Sequence, residues 1–578
     1  MVDSQVDRMN SKRVNLAKAL VAGGVVGALT SFSNSYGYAV SGYTTSELSP
    51  IVAGVLTFIL MKFVLRVDDI ATHIAAVAFS VGIDITTTLT SGMLITYRMF
   101  AERGDPGAVH MAPWVYEGLS IESITFYLFA CAVSSGGVLI ALALSDHFIE
   151  EERLTFPVGG GAWRVINVIR EIKAGKILLA MFFGFILEMV ALQQTLSVDF
   201  TRTLYLLAPG SALALALDPL ILFLAMLLPI GSSLGVSIGS LITFVFILPL
   251  LALLKLVIPL PTMTLYDLAT SASPSIASML IGYLVLTASY YLAKYRKTLA
   301  RSLALIREIK EHRALFLLGM LFILSPIIPA LLLAREPLKI LLIMPALALL
   351  YIIIMLLTCR VVGEVGIVSQ STLPAVTGLM FASGIREAMP YVLLDPYTGT
   401  PMPQFVAATS MNVIRLSKHS GVRQTFTGFL MMLGILIGAP LTLTYGNMLL
   451  RVYGTTSPKF PLVRWLPIIV WMNSVYSGNI TALPLQSLIV GTVLAALILI
   501  IIKFTGFSGL SPFAVLVGIT VTPDIGILFL VAAVLKYLAL RIGPDTYESL
   551  VIYSSLSLFG STLAVITCSL SDLLISGV

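Results

Sequence analysis

Charge is what this chain has least of. Of its 578 residues only 11% are Asp, Glu, Lys or Arg, while 58% are hydrophobic and the mean hydropathy is +0.98. A water-soluble core cannot absorb so much apolar surface without a polar shell, so a soluble globular fold is excluded. Cysteine is scarce as well: Cys131, Cys359 and Cys568 lie in or beside apolar runs, without the close spacing of a metal site or a secreted disulfide framework. The histidines His73, His110, His147, His312 and His419 stand singly, and no His-Glu-x-x-His occurs. There is no Walker A motif, so ATP-driven chemistry within the chain has no carrier. The net charge of +6 is read as basic loops facing anionic lipid, because no basic and aromatic interleaving points to nucleic acid.

What is present is a succession of apolar runs near the length of about 20 residues that spans a hydrocarbon core. They fall near 15–39, 48–65, 70–97, 119–145, 176–196, 212–230, 232–254 and 273–293, followed by a basic loop. A comparable second set covers 314–334, 338–358, 364–385, 402–417, 424–449, a broken stretch within 466–502, 510–522, 524–541 and 547–575. Two of these, 402–417 and 510–522, are too short to span unaided. The expected fold is therefore all-α, a polytopic membrane protein of about 16 transmembrane or re-entrant helices in two repeated halves. Its parts are a tail at 1–14, a first repeat at 15–293, a basic loop at 294–313 and a second repeat at 314–578.

The first run is too long for a secretory signal and lacks a convincing cleavage pattern, so it reads as a membrane helix. Arg8, Lys12, Arg13 and Lys18 place the tail in the cytoplasm of a cell-membrane protein. Eight crossings return the chain to that side for Arg296, Lys297, Arg301, Arg307 and Lys310. Beyond residue 400 the side stays open, because Arg415, Lys418 and Arg423 compete with Arg451, Lys459 and Arg464.

Duplication rests on landmarks at nearly one offset. Pro50 and Pro345 lie 295 apart, Arg66 and Arg360 lie 294 apart, Pro219 and Pro512 lie 293 apart, and Pro229 and Pro523 lie 294 apart. Duplicated transporters build their sites where Gly- and Pro-broken helices meet near the midplane. Four stretches read as such breaks: 33–38 (SNSYGY), Asp218-Pro219, Gly363 to Pro374, and Thr522-Pro523-Asp524. Gly231, Gly235 and Gly239 instead line one helical face at four-residue spacing and read as packing, as do Gly23 and Gly27.

Ionisable residues inside apolar runs are costly unless they face a cavity or a partner. Asp84, among Thr and Ser, and Glu188, shortly before Gln193 and Gln194, are the clearest cases, whereas Glu122 sits at a segment start. Glu364 lies between Gly363 and Gly366 and four residues after Arg360, a spacing that also allows a helical ion pair. The expected substrate or proton pathway comprises Asn34, Tyr36, Tyr38, Asp84, Glu188, Arg360 and Glu364, with Asn34, Tyr36 and Tyr38 lining one cavity with Glu364. No catalytic residue, metal ligand or cofactor is assigned.

Four stretches together carry a family resemblance: GGVVGALTSFSNSYGYAVSG (23–42), LTFPVGGGA (154–162), LDPLILFLAMLLPIGSSLGVSIGSLITFVFILP (217–249) and RVVGEVGI (360–367). The chain resembles the oligopeptide transporter superfamily, which includes the yellow-stripe metal-chelate transporters. Val158 stands where that family usually has Ser, and neither its long extracellular signature nor an Asn-Pro-Gly motif is found. The resemblance implies a secondary transporter driven by the proton gradient that moves short peptides or small amino-acid-derived metal chelates. Its expected partners are membrane lipid, the solute and the coupling ion, with sodium as the other candidate ion and the copy number open. A passive channel or lipid scramblase is the alternative. An intramembrane enzyme is disfavoured, because Tyr266-Asp267 and Gly82-Ile83-Asp84 follow the reverse order of an aspartyl-protease pair.

Overall fold

The computed structural model describes residues 15–41, 49–87, 121–171, 174–194, 197–294, 296–297, 300–301, 304, 310–366, 373–394, 402–453, 484–505, 510–519 and 521–575. The protein is a helical membrane protein. Among the described residues nine helices are long and apolar enough to cross a bilayer, and Leu265–Lys294 passes the same test only as a pair bent by 51°, a broken span or a re-entrant loop. Pro274 lies inside that helix and removes one of its hydrogen bonds, which accounts for the bend. The rest of the architecture consists of shorter helices and one two-stranded antiparallel ribbon.

The first half runs α1 (Leu16–Ser41), α2 (Ser49–Ile59), α3 (Ile70–Asp84) and α4 (Ile121–Ser145), the second and fourth extended by π-helical turns at Leu60–Val64 and Asp146–Glu151. Next come α5 (Pro157–Glu171) and α6 (Ala174–Gln194), then the ribbon of β1 (Ser197–Asp199) and β2 (Ala214–Ala216), which flanks the short α7 (Thr201–Tyr205). A broken pair follows, α8 (Pro219–Leu227) and α9 (Ile230–Leu241, continued to Leu253), and then α10 (Leu265–Lys294). The second half holds α11 (Lys310–Ile323), α12 (Ile327–Leu333), α13 (Pro337–Val365), α14 (Leu373–Ala382), α15 (Ala388–Leu394), α16 (Pro403–Ser420), α17 (Gln424–Tyr453) and α18 (Leu485–Thr505). It ends with α19 (Pro512–Ile519), α20 (Pro523–Ile542) and α21 (Pro544–Ile575).

Glycine-to-glycine crossings tie the halves together. A Cβ on Gly184 would stand 1.9 Å from the Ser557 carbonyl and one on Gly560 would stand 1.8 Å from that of Met181, so α6 and α21 touch backbone to backbone. The same reciprocal geometry recurs between Gly282 of α10 and Gly491 of α18, between Gly239 of α9 and Gly518 of α19, between Gly82 of α3 and Gly434 of α17, and between Gly136 of α4 and Gly319 of α11. Lipid supplies no hydrophobic drive between helices, so such close contact is what holds them together. Gly235 and Gly239 thus pack as their spacing implies, against α19, and Gly23 and Gly27 do so against α3.

One expected break and one expected helix start take another form. α1 continues unbroken through 33–38, because its polar residues find partners without leaving the helix: the Ser35 hydroxyl donates to the Ser31 carbonyl at 2.8 Å and Asn34 reaches across to Asp84. α13 likewise runs from Pro337 through Glu364 to Val365, where Gly366 ends it at φ 89°, so no segment starts at 364. Pro50 is the second residue of α2 whereas Pro345 lies inside α13, and Arg66 is exposed at φ 52° whereas Arg360 is helical and buried. Replacing Gly184 by Ala is expected to cost about 1–3 kcal/mol, since the added methyl forces α6 from α21. Gly175→Ala, with nothing within 4 Å, is the control, and thermal melting in detergent reads both.

Candidate functional site

The segment after α4 brings two quoted motifs together. Residues Arg153 and Phe156 adopt positive φ (54° and 45°), which folds 153–156 back over the end of α13. There the Phe156 amide and the Thr155 hydroxyl each donate to the Gly363 carbonyl at 3.0 Å. A Cβ at Gly363 would sit 2.6 Å from Leu154 Cδ1 and 3.0 Å from Leu154 Cβ, so the glycine lets this loop lie close against the helix. Residues 154–156 and the end of α13 at Gly363, far apart in sequence, thus form one structural unit.

Arg360 is the charge at its centre. Its guanidinium pairs with Glu152 and, at 2.9 Å, with Glu364; the Arg360 and Glu152 side chains are 7% and 6% exposed, against 26% for Glu364. His147 stands 3.2 Å from Glu152 and 3.3 Å from Glu151, Arg301 reaches Glu151, and Lys418 joins Asp146 and Glu150 at 2.9 and 2.7 Å. Lys418 therefore lies at the same end of the molecule as Arg301 in the basic loop, which the sequence had left open. Glu364 belongs to a buried ion-pair network.

Asp84 is arranged differently. Asn34 donates its amide to both carboxylate oxygens, at 2.8 and 2.9 Å, Ser49 donates its hydroxyl, and Thr87 lies at 3.5 Å. Among the described residues no cation lies within ion-pairing distance of this fully buried carboxyl. Asn34 and Asp84 are thus brought together as a neutral-donor cage between α1, α2 and α3, away from the Arg360 network. The side chains of Tyr36 and Tyr38 lie outside the described residues, as do those of Glu122, Gln193 and Gln194.

Glu188, on α6, accepts the Leu220 amide at 3.0 Å, and Asp218 accepts that of Ile221 at 3.0 Å. Both carboxylates therefore sit at the N-terminus of α8, where free amides and the helix dipole favour negative charge. Asp218 is a helix cap.

One buried charge was not singled out from sequence. Lys536, in the middle of α20, is fully buried and donates from Nζ to Ala225 O at 2.8 Å, Leu228 O at 2.6 Å and Ser233 Oγ at 2.8 Å. These oxygens surround the break between α8 and α9. The break also borders a cavity of about 420 Å³ whose lining includes Thr155, Pro157, Trp163, Leu227, Pro229 and Tyr547. Neither Asn34 nor Glu364 lines it. Among the described residues no group of three or more His, Cys, Asp or Glu is placed to hold a metal ion.

No protein-family profile matches the chain, and no curated protein matches it. The network itself yields a test. Glu152→Gln removes the more buried of the carboxylates paired with Arg360 and is expected to destabilise the protein by about 3 kcal/mol, whereas Glu364→Gln costs less. Thermal melting of the two purified variants, side by side, checks the order.

Proposed function

We propose that the protein is a secondary active transporter, coupled to the proton gradient, that moves short peptides or small amino-acid-derived metal chelates across the cell membrane. The observation that carries this reading is the Asp84 cage: a buried carboxyl in a helical membrane protein, hydrogen-bonded among the described residues by neutral groups alone. A carboxylate held for stability alone would be expected beside a cation, as Glu364 is, because burial of an uncompensated charge is costly. A carboxyl whose job is to take up and release a proton needs neutral neighbours that accommodate both forms.

Three further features support the reading. A broken helix pair, α8 and α9, lies beside an internal cavity, as in folds whose solute sites form at helix interruptions. Close crossings join helices of the first half to helices of the second, Gly184 of α6 to Gly560 of α21 and Gly282 of α10 to Gly491 of α18, as the interface between the two repeats of such a transporter would. Two of the four stretches that resemble the oligopeptide transporters pack on each other at Gly363, as parts of one family signature would. In this scheme the protein has about 16 transmembrane or re-entrant helices and its N-terminus, with the Arg301 and Lys418 end, faces the cytoplasm.

A panel of labelled di- to pentapeptides and metal chelates, offered to proteoliposomes with and without an inward proton gradient, tests the function. The expected result is accumulation of at least one class under the gradient. Asp84→Asn, which keeps the shape and the Asn34 contact, is expected to retain the wild-type melting temperature and to lose gradient-driven accumulation by tenfold or more, about 1.4 kcal/mol of coupling. Normal accumulation by a stable Asp84→Asn protein removes Asp84 from the pathway.

A further inference from the structure

Pro229 creates the problem that Lys536 solves. In an unbroken helix the Ala225 carbonyl would accept the amide four residues on, but that residue is Pro229, which has none. The amides of Ser232 and Ser233 both turn to the Pro229 carbonyl, at 3.1 Å each, so Leu228 O loses its helical donor as well. Two carbonyls are thus freed inside the protein at membrane depth, where they must be satisfied by protein or by water. The Ser233 hydroxyl donates its proton to Ala225 O at 2.9 Å and turns its lone pairs to Lys536, which closes a ring of three oxygens around Nζ.

The chemistry of that ring is specific. All three oxygens are neutral, and two belong to the C-terminal end of α8 and the residue after it, where the helix dipole favours a cation. Helix-break carbonyls with a hydroxyl suit a monovalent ion, whereas a divalent ion would call for carboxylates. The titratable groups on the surrounding elements do not neutralise it: Asp218 caps the opposite end of α8, Asp524 accepts from the Tyr266 hydroxyl at 2.6 Å, and Asp545, Tyr547 and Glu548 lie in the first turns of α21. α9 carries no ionisable side chain. No ion pair joins Lys536 to any described carboxylate.

We propose that Ala225 O, Leu228 O and Ser233 Oγ form a monovalent-cation site at the α8–α9 break, and that the Lys536 ammonium is its tethered occupant. A tethered ammonium differs from a free ion in one respect: it cannot diffuse away, but it can give its proton to water and leave a neutral amine. The cavity lined by Leu227 and Pro229 brings space to the break. On the transport reading, and resting on it, that proton is a second coupling proton beside the one on Asp84.

The site is tested without any transported solute, so its failure and the failure of the transport reading are distinguishable. Wild type, Lys536→Ala and Lys536→Met are purified in detergent, and each is melted in choline, sodium, potassium and methylammonium chloride at one ionic strength. Wild type is expected to melt at the same temperature in all four. Lys536→Ala is expected to melt lower in choline and to regain about half or more of the loss in sodium or methylammonium, because the emptied ring then takes an untethered cation. Lys536→Met, whose side chain fills the space, is expected to melt low in every salt. If Lys536→Ala is rescued by no cation or cannot be recovered in any, or if Lys536→Met is as stable as wild type, the oxygens need no cation and the proposal is overturned.

Discussion

A backbone carbonyl or amide inside a bilayer must find a partner within the protein, and the features of this molecule follow from that constraint. Unbroken helices meet it by themselves. Wherever the chain departs from a helix, a side chain or a neighbouring loop takes over: Lys536 at the α8–α9 break, Glu188 and Asp218 at the start of α8, and the Thr155 hydroxyl with the Phe156 amide at the end of α13. Each substitute brings a polar group to a helix end or break. Architecture and candidate chemistry therefore share the same residues.

The buried charges fall into two kinds, and the difference is physical. Glu152 and Glu364 both pair with Arg360, and the network continues through His147 to the acidic turn at the end of α4. Removing one member leaves a buried charge exposed to apolar surroundings, which makes the network a brace for the loop that covers Gly363. Among the described residues Asp84 and Lys536 have no such partner of opposite sign and are held by neutral hydrogen-bonding groups. A group stabilised that way can change its protonation without leaving another charge stranded. Gradient coupling requires that property, and the Arg360 network lacks it.

Sequence made the class and many of the packing contacts readable. Apolar run length located most of the helices, and the four-residue glycine spacing located faces that do pack, because both are local signals. Asn34 and Asp84 were each legible as polar residues in apolar runs, but their pairing across 50 residues was not. The break expected at 33–38 failed for the same reason: partners from other helices satisfy Asn34, so the helix has no cause to open. Glu152 went unnoticed as the partner of Arg360 because it lies in a charged stretch that reads as ordinary interface. Lys536 went unnoticed because Arg541 follows five residues later and makes it look like the basic end of a segment. The signal that could have found it was Pro229, which frees a carbonyl that some distant donor must answer.

The central claim is that solute and proton move together. Proteoliposomes with a pH-sensitive dye trapped inside, an outward potassium gradient and valinomycin provide the driving voltage, and addition of an accumulated peptide or chelate starts the reaction. The account predicts that the lumen acidifies only when the solute is added, and that Asp84→Asn abolishes the acidification. Solute entry with no change in luminal pH would contradict it.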